Sequence, residues 1–150
     1  MKKNIQGKVL KLFITKDDTN KTRIKTTTID ADKDGILNDK FYKKNDQRAI
    51  LITSIQSYEM AINNGIDLFE GALGENILID INPYHLTAGE TLSIGNAMLQ
   101  ITQNCTLCKG LTAINSKLPK LLKNDRGIFA KIINGNTTIK VGDSVNILSH

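Results

Sequence analysis

The sequence predicts a mainly β fold, a barrel or a sandwich with α decoration. Short apolar or alternating segments follow one another along the 150 residues, and glycine-containing turns separate most of them. Strands and helices do not alternate regularly, as they would in a parallel α/β sheet. The length suits one domain, which we place over residues 1–150.

Most of the chain is expected to be strand. The predicted strands cover residues 7–15, 22–31, 47–52, 77–81, 91–94, 97–103, 128–133 and 138–148. The last of these is broken at Gly142. Residues 38–46 are polar and predict a loop. A short helix is expected over 113–122, where Pro119 limits its regularity.

The clearest helix follows residue 52. Thr53 with Gln56 after it matches a capping box, in which the two side chains bind the first free backbone N–H groups. Apolar residues from Ile55 to Ile62 recur at helical spacing. Gly65 favours the end of the helix.

The charge and hydropathy of the chain exclude some classes of function. The net charge is +5, which favours anionic partners. The lysines are scattered and aromatic residues make up only 5%, so a nucleic-acid surface is not predicted. No apolar run reaches the roughly 20 residues of a membrane span, and the polar start is unlike a signal peptide. We therefore expect a cytoplasmic protein with reduced thiols and no membrane partner.

The turn at residues 30–35 has aspartates spaced as in a calcium loop. Counting from Asp30, Gly35 fits the sixth position of an EF-hand, but the twelfth is Phe41 where a glutamate is required. Calcium binding is therefore not predicted.

The stretch 101–110 carries both cysteines. Cys108 follows a predicted strand and precedes Lys109 and Gly110. A neighbouring cation stabilises a thiolate, and glycine lets a ligand approach the backbone. Cys108 is thus a candidate reactive thiol, and the alternative is a small buried side chain.

Cys105 forms a Cys-x-x-Cys pair with Cys108. A redox pair of the thioredoxin type belongs beside a βαβ unit, and none is predicted. A structural zinc site usually has four Cys or His ligands, which would require His85 and the terminal His150, so zinc is not predicted. Cys105 is either a resolving thiol or a local oddity.

Seven short pieces, in this order, resemble the MOSC domain, which is found at the C-terminus of molybdenum cofactor sulfurases and as small stand-alone bacterial proteins. The pieces are Gly7-Lys8-Val9, Gly35-Ile36 with Asn38-Asp39, Arg48-Ala49-Ile50, Gly74-Glu75-Asn76-Ile77, Leu86-Thr87-Ala88-Gly89-Glu90 with Ile94-Gly95 and Cys108, Arg126-Gly127-Ile128-Phe129-Ala130, and Val141-Gly142-Asp143. The resemblance covers nearly the whole chain.

The resemblance implies a barrel of the pyruvate-kinase-barrel type with a cysteine in its pocket. Such domains are proposed to bind the molybdenum cofactor (molybdopterin) or to carry sulfur as a persulfide. Some small relatives reduce N-hydroxylated compounds, and the family is also associated with pyridoxal phosphate. Cys108 matches the family's cysteine. It is therefore the predicted catalytic residue and, if molybdenum is bound, its ligand.

The chain departs from the family pattern at one corner. The family usually has a histidine shortly after its Gly-Asp turn, where this chain has Lys40, Phe41 and Tyr42. Asn38 replaces the glycine of that turn, and asparagine tolerates the left-handed conformation better than most residues.

Six further residues are candidates for binding the cofactor. Glu75 and Asn76 would bind polar edges of a pterin or substrate, or else satisfy backbone groups at a tight turn. Arg126 beside Gly127 would grip a phosphate, or form an ordinary ion pair.

The last two candidates are basic side chains. Lys109 would face the cofactor or the solvent, and Arg48 would bind the cofactor or be structural.

Three functions follow as hypotheses. An enzyme would keep the cofactor bound through Cys108 and would need an external electron donor, since the chain has too few cysteines for an iron-sulfur cluster and no dinucleotide motif. A carrier would hold a persulfide received from a sulfur donor such as a cysteine desulfurase. A non-catalytic barrel would bind a small anion.

Overall fold

The computed structural model describes residues 3–20, 22–106 and 109–149. Within these residues it has eleven strands and three helices. The strands are β1 (Lys3–Thr15), β2 (Arg23–Thr26), β3 (Thr28–Asp32), β4 (Gly35–Ile36), β5 (Ile50–Ser54), β6 (Ile77–Ile79), β7 (Thr91–Ile94), β8 (Ala97–Asn104), β9 (Ile128–Ile132), β10 (Thr137–Lys140) and β11 (Ser144–Ser149). The helices are α1 (Ile55–Asn63), α2 (Lys109–Ile114) and α3 (Leu118–Leu121).

A closed barrel forms the centre of the fold. In the described part of the chain, seven strands surround it in the order β1-β11-β7-β8-β9-β5-β6, and β6 pairs with β1 to complete the ring. The pairings are antiparallel except that of β5 with β6, which α1 and the following loop connect. The mainly β fold class and the barrel are therefore confirmed.

The length of β1 makes the closure possible. Its first half pairs with β11, and its second half pairs with β6 and β2. The register of its pairing with β6 shifts between Val9 and Lys11, an irregularity of the bulge type that bends a strand. A smaller sheet, β10-β3-β4, lies beside the barrel.

The core has two layers. Alternate residues of the barrel strands fill the interior, as the period of a strand requires. A second cluster joins α1 to α3, and it includes Tyr58, Leu73, Leu78 and Leu118. All five residues of β5 are buried, so other parts of the fold cover both its apolar and its hydroxyl side chains.

Most predicted strands agree with the structure to within a few residues. The strand predicted over 22–31 is instead two strands, β2 and β3, which belong to different sheets, and β4 was not predicted. Two details of the helices also differ. Ser54, rather than Thr53, is the N-cap of α1, and its hydroxyl accepts a hydrogen bond from the Gln56 N–H at 3.2 Å. The hydroxyl of Thr53 instead donates to the carbonyl of Arg126. The single helix predicted over 113–122 is wrong: two short helices form, and Pro119 lies at the start of α3, where its missing N–H costs no hydrogen bond.

None of the helices in the described residues is long and apolar enough to cross a membrane.

Truncation of the barrel core should be costly. Leu99 is fully buried, and we expect Leu99→Ala to lower the free energy of unfolding by about 2–5 kcal/mol, since the cavity cannot collapse completely. The neighbouring Met98 is 36% exposed and provides a matched control, with an expected change within about 0.5 kcal/mol for Met98→Ala. Urea denaturation measures both changes in stability. Equal losses would contradict the placement of Leu99 in the barrel interior and of Met98 on the outer face.

Candidate functional site

A cleft of about 640 Å³ opens at one end of the barrel, where several loops meet. Its basic side chains are Arg23, Lys44, Arg48 and Arg126. Its apolar wall consists of Phe41, Ala49, Leu51, Ala72 and Phe129. Of the residues that the structure describes, no aspartate or glutamate lines it. The cleft therefore combines positive charge with an apolar wall and suits an anion that also carries an apolar part.

The cleft brings together only part of the predicted site. Arg48, Asn76 and Arg126 line it, and so does Cys105. Glu75 lies behind this surface and is fully buried. Gly127 packs against β5.

Cys108 lies outside the described residues, and so does the side chain of Lys109. Cys105 and Gly110, which precede and follow Cys108 in the sequence, both line the cleft.

Asn76 connects three parts of the chain through its side-chain amide. Its Oδ1 accepts from the Leu51 N–H at 3.0 Å. Its Nδ2 donates to the carbonyl of Phe13 at 3.2 Å and to Oδ1 of Asp39 at 3.3 Å. The amide is thus engaged with β1, β5 and the loop before β5.

Asp39 fixes that loop in turn. Its carboxylate accepts from the Thr15 N–H at 2.7 Å and from the Phe41 N–H at 3.0 Å. Asn38 has φ +70°, so the turn survives the loss of the family's glycine because asparagine adopts the left-handed conformation. Phe41, in the region of the family's histidine, is 46% exposed and adds an aromatic edge to the cleft.

Glu75 is held by a tyrosine and an arginine. The Tyr58 hydroxyl donates to Oε2 of Glu75 at 2.6 Å, and Nη2 of Arg23 lies 3.9 Å from Oε1. Among the described residues, Oε1 has no hydrogen-bond partner. Burial raises the pKa of the Glu75 carboxyl above its ordinary 4.5, and it lowers the pKa of the Arg23 guanidinium. Both shifts favour the less charged form, so the attraction between the two groups does not offset their desolvation.

Arg23 was absent from the predicted site, although it lines the cleft. Its Nη1 donates to the Thr15 hydroxyl at 3.0 Å, and its Nη2 donates to the carbonyls of Gly71 and Glu75. The β1–β2 register places Arg23 directly opposite Thr15 at the end of the pair. In the sequence, the alternation around Arg23 predicts a strand, but no local motif shows that this side chain turns toward the barrel opening.

Arg126 and Gly127 are docked between β5 and the end of β8. The guanidinium of Arg126 donates to the carbonyl of Leu73 from Nε at 3.3 Å and from Nη2 at 3.1 Å. A Cβ at Gly127 would lie 2.9 Å from the carbonyl oxygen of Ile52, so the close approach of the two segments requires glycine. The Gly127 carbonyl accepts from the Cys105 N–H at 3.0 Å.

Cys105 is a buried thiol beside the cleft. It is 3% exposed and packs against Leu51 and Phe129. In the described part of the chain, no group of three or more His, Cys, Asp or Glu side chains is arranged to hold a metal ion.

A mainly β barrel with a basic cleft at its opening defines the class of this protein, and the comparison with family models specifies it further. The model of the MOSC domain matches residues 39–146, and the chain belongs to this family. The family is associated in general with the molybdenum cofactor. No match was found among curated proteins.

Solved structures share the fold at low sequence identity. The YuaD protein from Bacillus subtilis is 18% identical, with a TM-score of 0.83 and full coverage of both chains. YiiM from Escherichia coli is 17% identical with a TM-score of 0.71, over 97% of this chain and 71% of that one. YiiM from Geobacillus stearothermophilus is 16% identical with a TM-score of 0.67, over 95% and 74%.

Loss of the Asn76 amide should destabilise the cleft. Asn76→Ala leaves the Leu51 N–H and the Phe13 carbonyl without their side-chain partner, and each unsatisfied buried group costs about 1–3 kcal/mol. Asn134→Ala is the matched control, because it also removes two side-chain hydrogen bonds to the backbone, but at an exposed turn. Urea denaturation should show a much larger loss for Asn76→Ala, and similar losses would refute this role.

The buried carboxyl should make stability depend on pH. The folded state holds the Glu75 proton more tightly than the unfolded chain does. Its contribution is therefore fully present below about pH 4.5 and is lost as the pH rises through the raised pKa. Relative to Glu75→Gln, the native protein should become less stable in thermal unfolding as the pH rises above about 4.5.

Glu70 provides a control, because its contribution to stability should change with pH in the opposite direction. Its hydrogen bond with Lys25 and the charge of Lys11 lower the pKa of this exposed carboxyl, so its contribution is present above pH 4.5 and is lost as the pH falls. A flat difference between native protein and Glu75→Gln across the pH range would contradict the raised pKa of Glu75.

Proposed function

We propose that this MOSC protein binds the molybdenum cofactor, or a sulfur species related to it, in the basic cleft, with Cys108 as the covalent or metal-ligating thiol. The observation that carries the proposal is the composition of the cleft. Basic side chains line it, acidic ones are absent among its described lining residues, and the chain on either side of Cys108 contributes Cys105 and Gly110 to its wall.

The residues present fit such a group. Guanidinium groups bind phosphate oxygens through paired donors, and Arg23, Arg48 and Arg126 all reach the cleft. The rings of Phe41 and Phe129 add an apolar wall for a planar ring system. A cavity of about 640 Å³ lies within the usual range of roughly 300–1,000 Å³ for ligand sites.

Under the enzyme hypothesis, the bound cofactor supplies two-electron redox chemistry. The protein's own part is to hold its anionic group with the arginines and to supply a thiolate from Cys108. The apolar wall restricts access of water to the site. Electrons would come from an external donor, and an N-hydroxylated compound is the substrate class we favour.

Under the carrier hypothesis, the thiolate of Cys108 attacks the outer sulfur of a donor persulfide, such as that of a cysteine desulfurase. A bond forms between Sγ of Cys108 and the transferred sulfur, and the donor's sulfur–sulfur bond breaks. The donor cysteine leaves as a thiolate, so no external oxidant or reductant is needed. The guanidinium groups that line the cleft would stabilise an anionic persulfide held there.

Analysis of the purified protein tests these hypotheses. Protein from a molybdenum-replete host should contain stoichiometric molybdenum if it is an enzyme. Intact mass spectrometry after incubation with a cysteine desulfurase and cysteine should show one added sulfur if it is a carrier. Cys108→Ser should abolish whichever signal is present. Mutation of a residue that only hydrogen-bonds to a metal ligand lowers metal affinity about 10–100-fold. Removal of the ligand itself should therefore lower the metal affinity further.

Cys105→Ser is the matched control, since it removes the other thiol of the pair. It should keep the molybdenum or the added sulfur. If Cys108→Ser retains the full signal, both hypotheses fail. Neither molybdenum nor added sulfur in the native protein, together with anion binding in the cleft, would instead indicate the non-catalytic anion-binding barrel.

A further inference from the structure

Arg23 lies between two places where negative charge can be held. On one side is the carboxylate of Glu75, whose Oε1 is 3.9 Å from Nη2. On the other side is the cleft, which Arg23 lines with a side chain that is 26% exposed. Hydrogen bonds to Thr15 and to the carbonyls of Gly71 and Glu75 hold the guanidinium in this position. The same cation therefore faces both a buried acid and a ligand site.

Glu75 has little else to stabilise its charge. The carboxyl is fully buried, Tyr58 of α1 donates to Oε2, and in the described structure Oε1 has no hydrogen-bond partner. Arg126 acts on the carboxyl from a greater distance and favours its charged form. The charge of Glu75 also raises the pKa of Tyr84, although burial is the main cause of that rise. The negative charge of Asp39, in the loop before β5, favours the charged form of the Arg23 guanidinium.

An anion bound in the cleft makes the Glu75 carboxyl group harder to ionise. It engages the positive charge of Arg23 and adds a negative charge near Glu75. Both effects disfavour the carboxylate in a site with low local dielectric. A spare donor is present on the guanidinium, since Nη1 donates to Thr15 with only one of its two hydrogens.

We propose that Arg23 and Glu75 form a proton-coupled anion site, in which binding of an oxoanion, or of the anionic group of a larger ligand, is accompanied by uptake of one proton at Glu75. This inference rests on the proposed function, because it requires an anion in the cleft. It makes Glu75 a positioning residue that acts through Arg23. The favoured ligand class is a small oxoanion or phosphate-like group whose affinity falls as the pH rises.

Sulfate is a suitable probe, because it keeps its charge between about pH 5 and pH 8 and cannot itself supply the proton. Isothermal titration calorimetry in two buffers of different ionisation enthalpy measures proton uptake on the native protein, with no mutation needed. We expect net uptake approaching one proton in part of this range. In that part, sulfate affinity should fall by up to about tenfold for each unit of rising pH, as linkage requires.

Two variants separate the coupling from simple charge effects. Glu75→Gln should bind sulfate with no proton uptake and with an affinity that does not change with pH. Arg48→Gln removes a cleft cation that has no contact with Glu75 among the described residues. It should weaken sulfate binding but keep the proton uptake.

The outcomes separate the proton coupling from the anion-binding role of the cleft. Sulfate binding without proton uptake by the native protein would overturn the coupling and leave the anion-binding cleft intact. Proton uptake that persists in Glu75→Gln would overturn the assignment to Glu75. Absence of sulfate binding would overturn both the coupling and the anion-binding role of the cleft.

Discussion

The site depends above all on the side-chain amide of Asn76. Its three hydrogen bonds connect β1, β5 and the loop of Asp39 at the start of β6, the strand that lies between β1 and β5. The backbone of Asn76 adds two more bonds, from its N–H to the Leu51 carbonyl and to its carbonyl from the Phe13 N–H. An asparagine suits this place because its amide both donates and accepts, whereas a carboxylate can only accept.

A fixed Asn76 also places the residues before it. Glu75 is turned inward toward Tyr58, and the carbonyl groups of Gly71, Leu73 and Glu75 are presented to the guanidinium groups of the two arginines that border the turn. Backbone carbonyls therefore bind both guanidinium groups, and Arg23 also faces the buried Glu75.

Part of the cleft lies outside the residues that the family model matches. The match to the MOSC domain begins at residue 39, but Thr15 and Arg23 precede it and contribute to the cleft. The solved relatives are only 16–18% identical, so they establish the barrel and not the ligand.

The sequence by itself determined the strands, the clearest helix and the family, because alternation, capping residues and short motifs act over a few neighbouring positions. It also predicted that Asn38 would preserve a left-handed turn, as its φ of +70° confirms. It placed Glu75 and Asn76 near a site, but it left open whether they bind a ligand or the protein itself. The tertiary structure decided that the Asn76 amide binds β1, β5 and Asp39, and that Glu75 lies behind the cleft. It alone revealed Arg23, because barrel closure and strand register bring distant residues together, and no local pattern records those contacts.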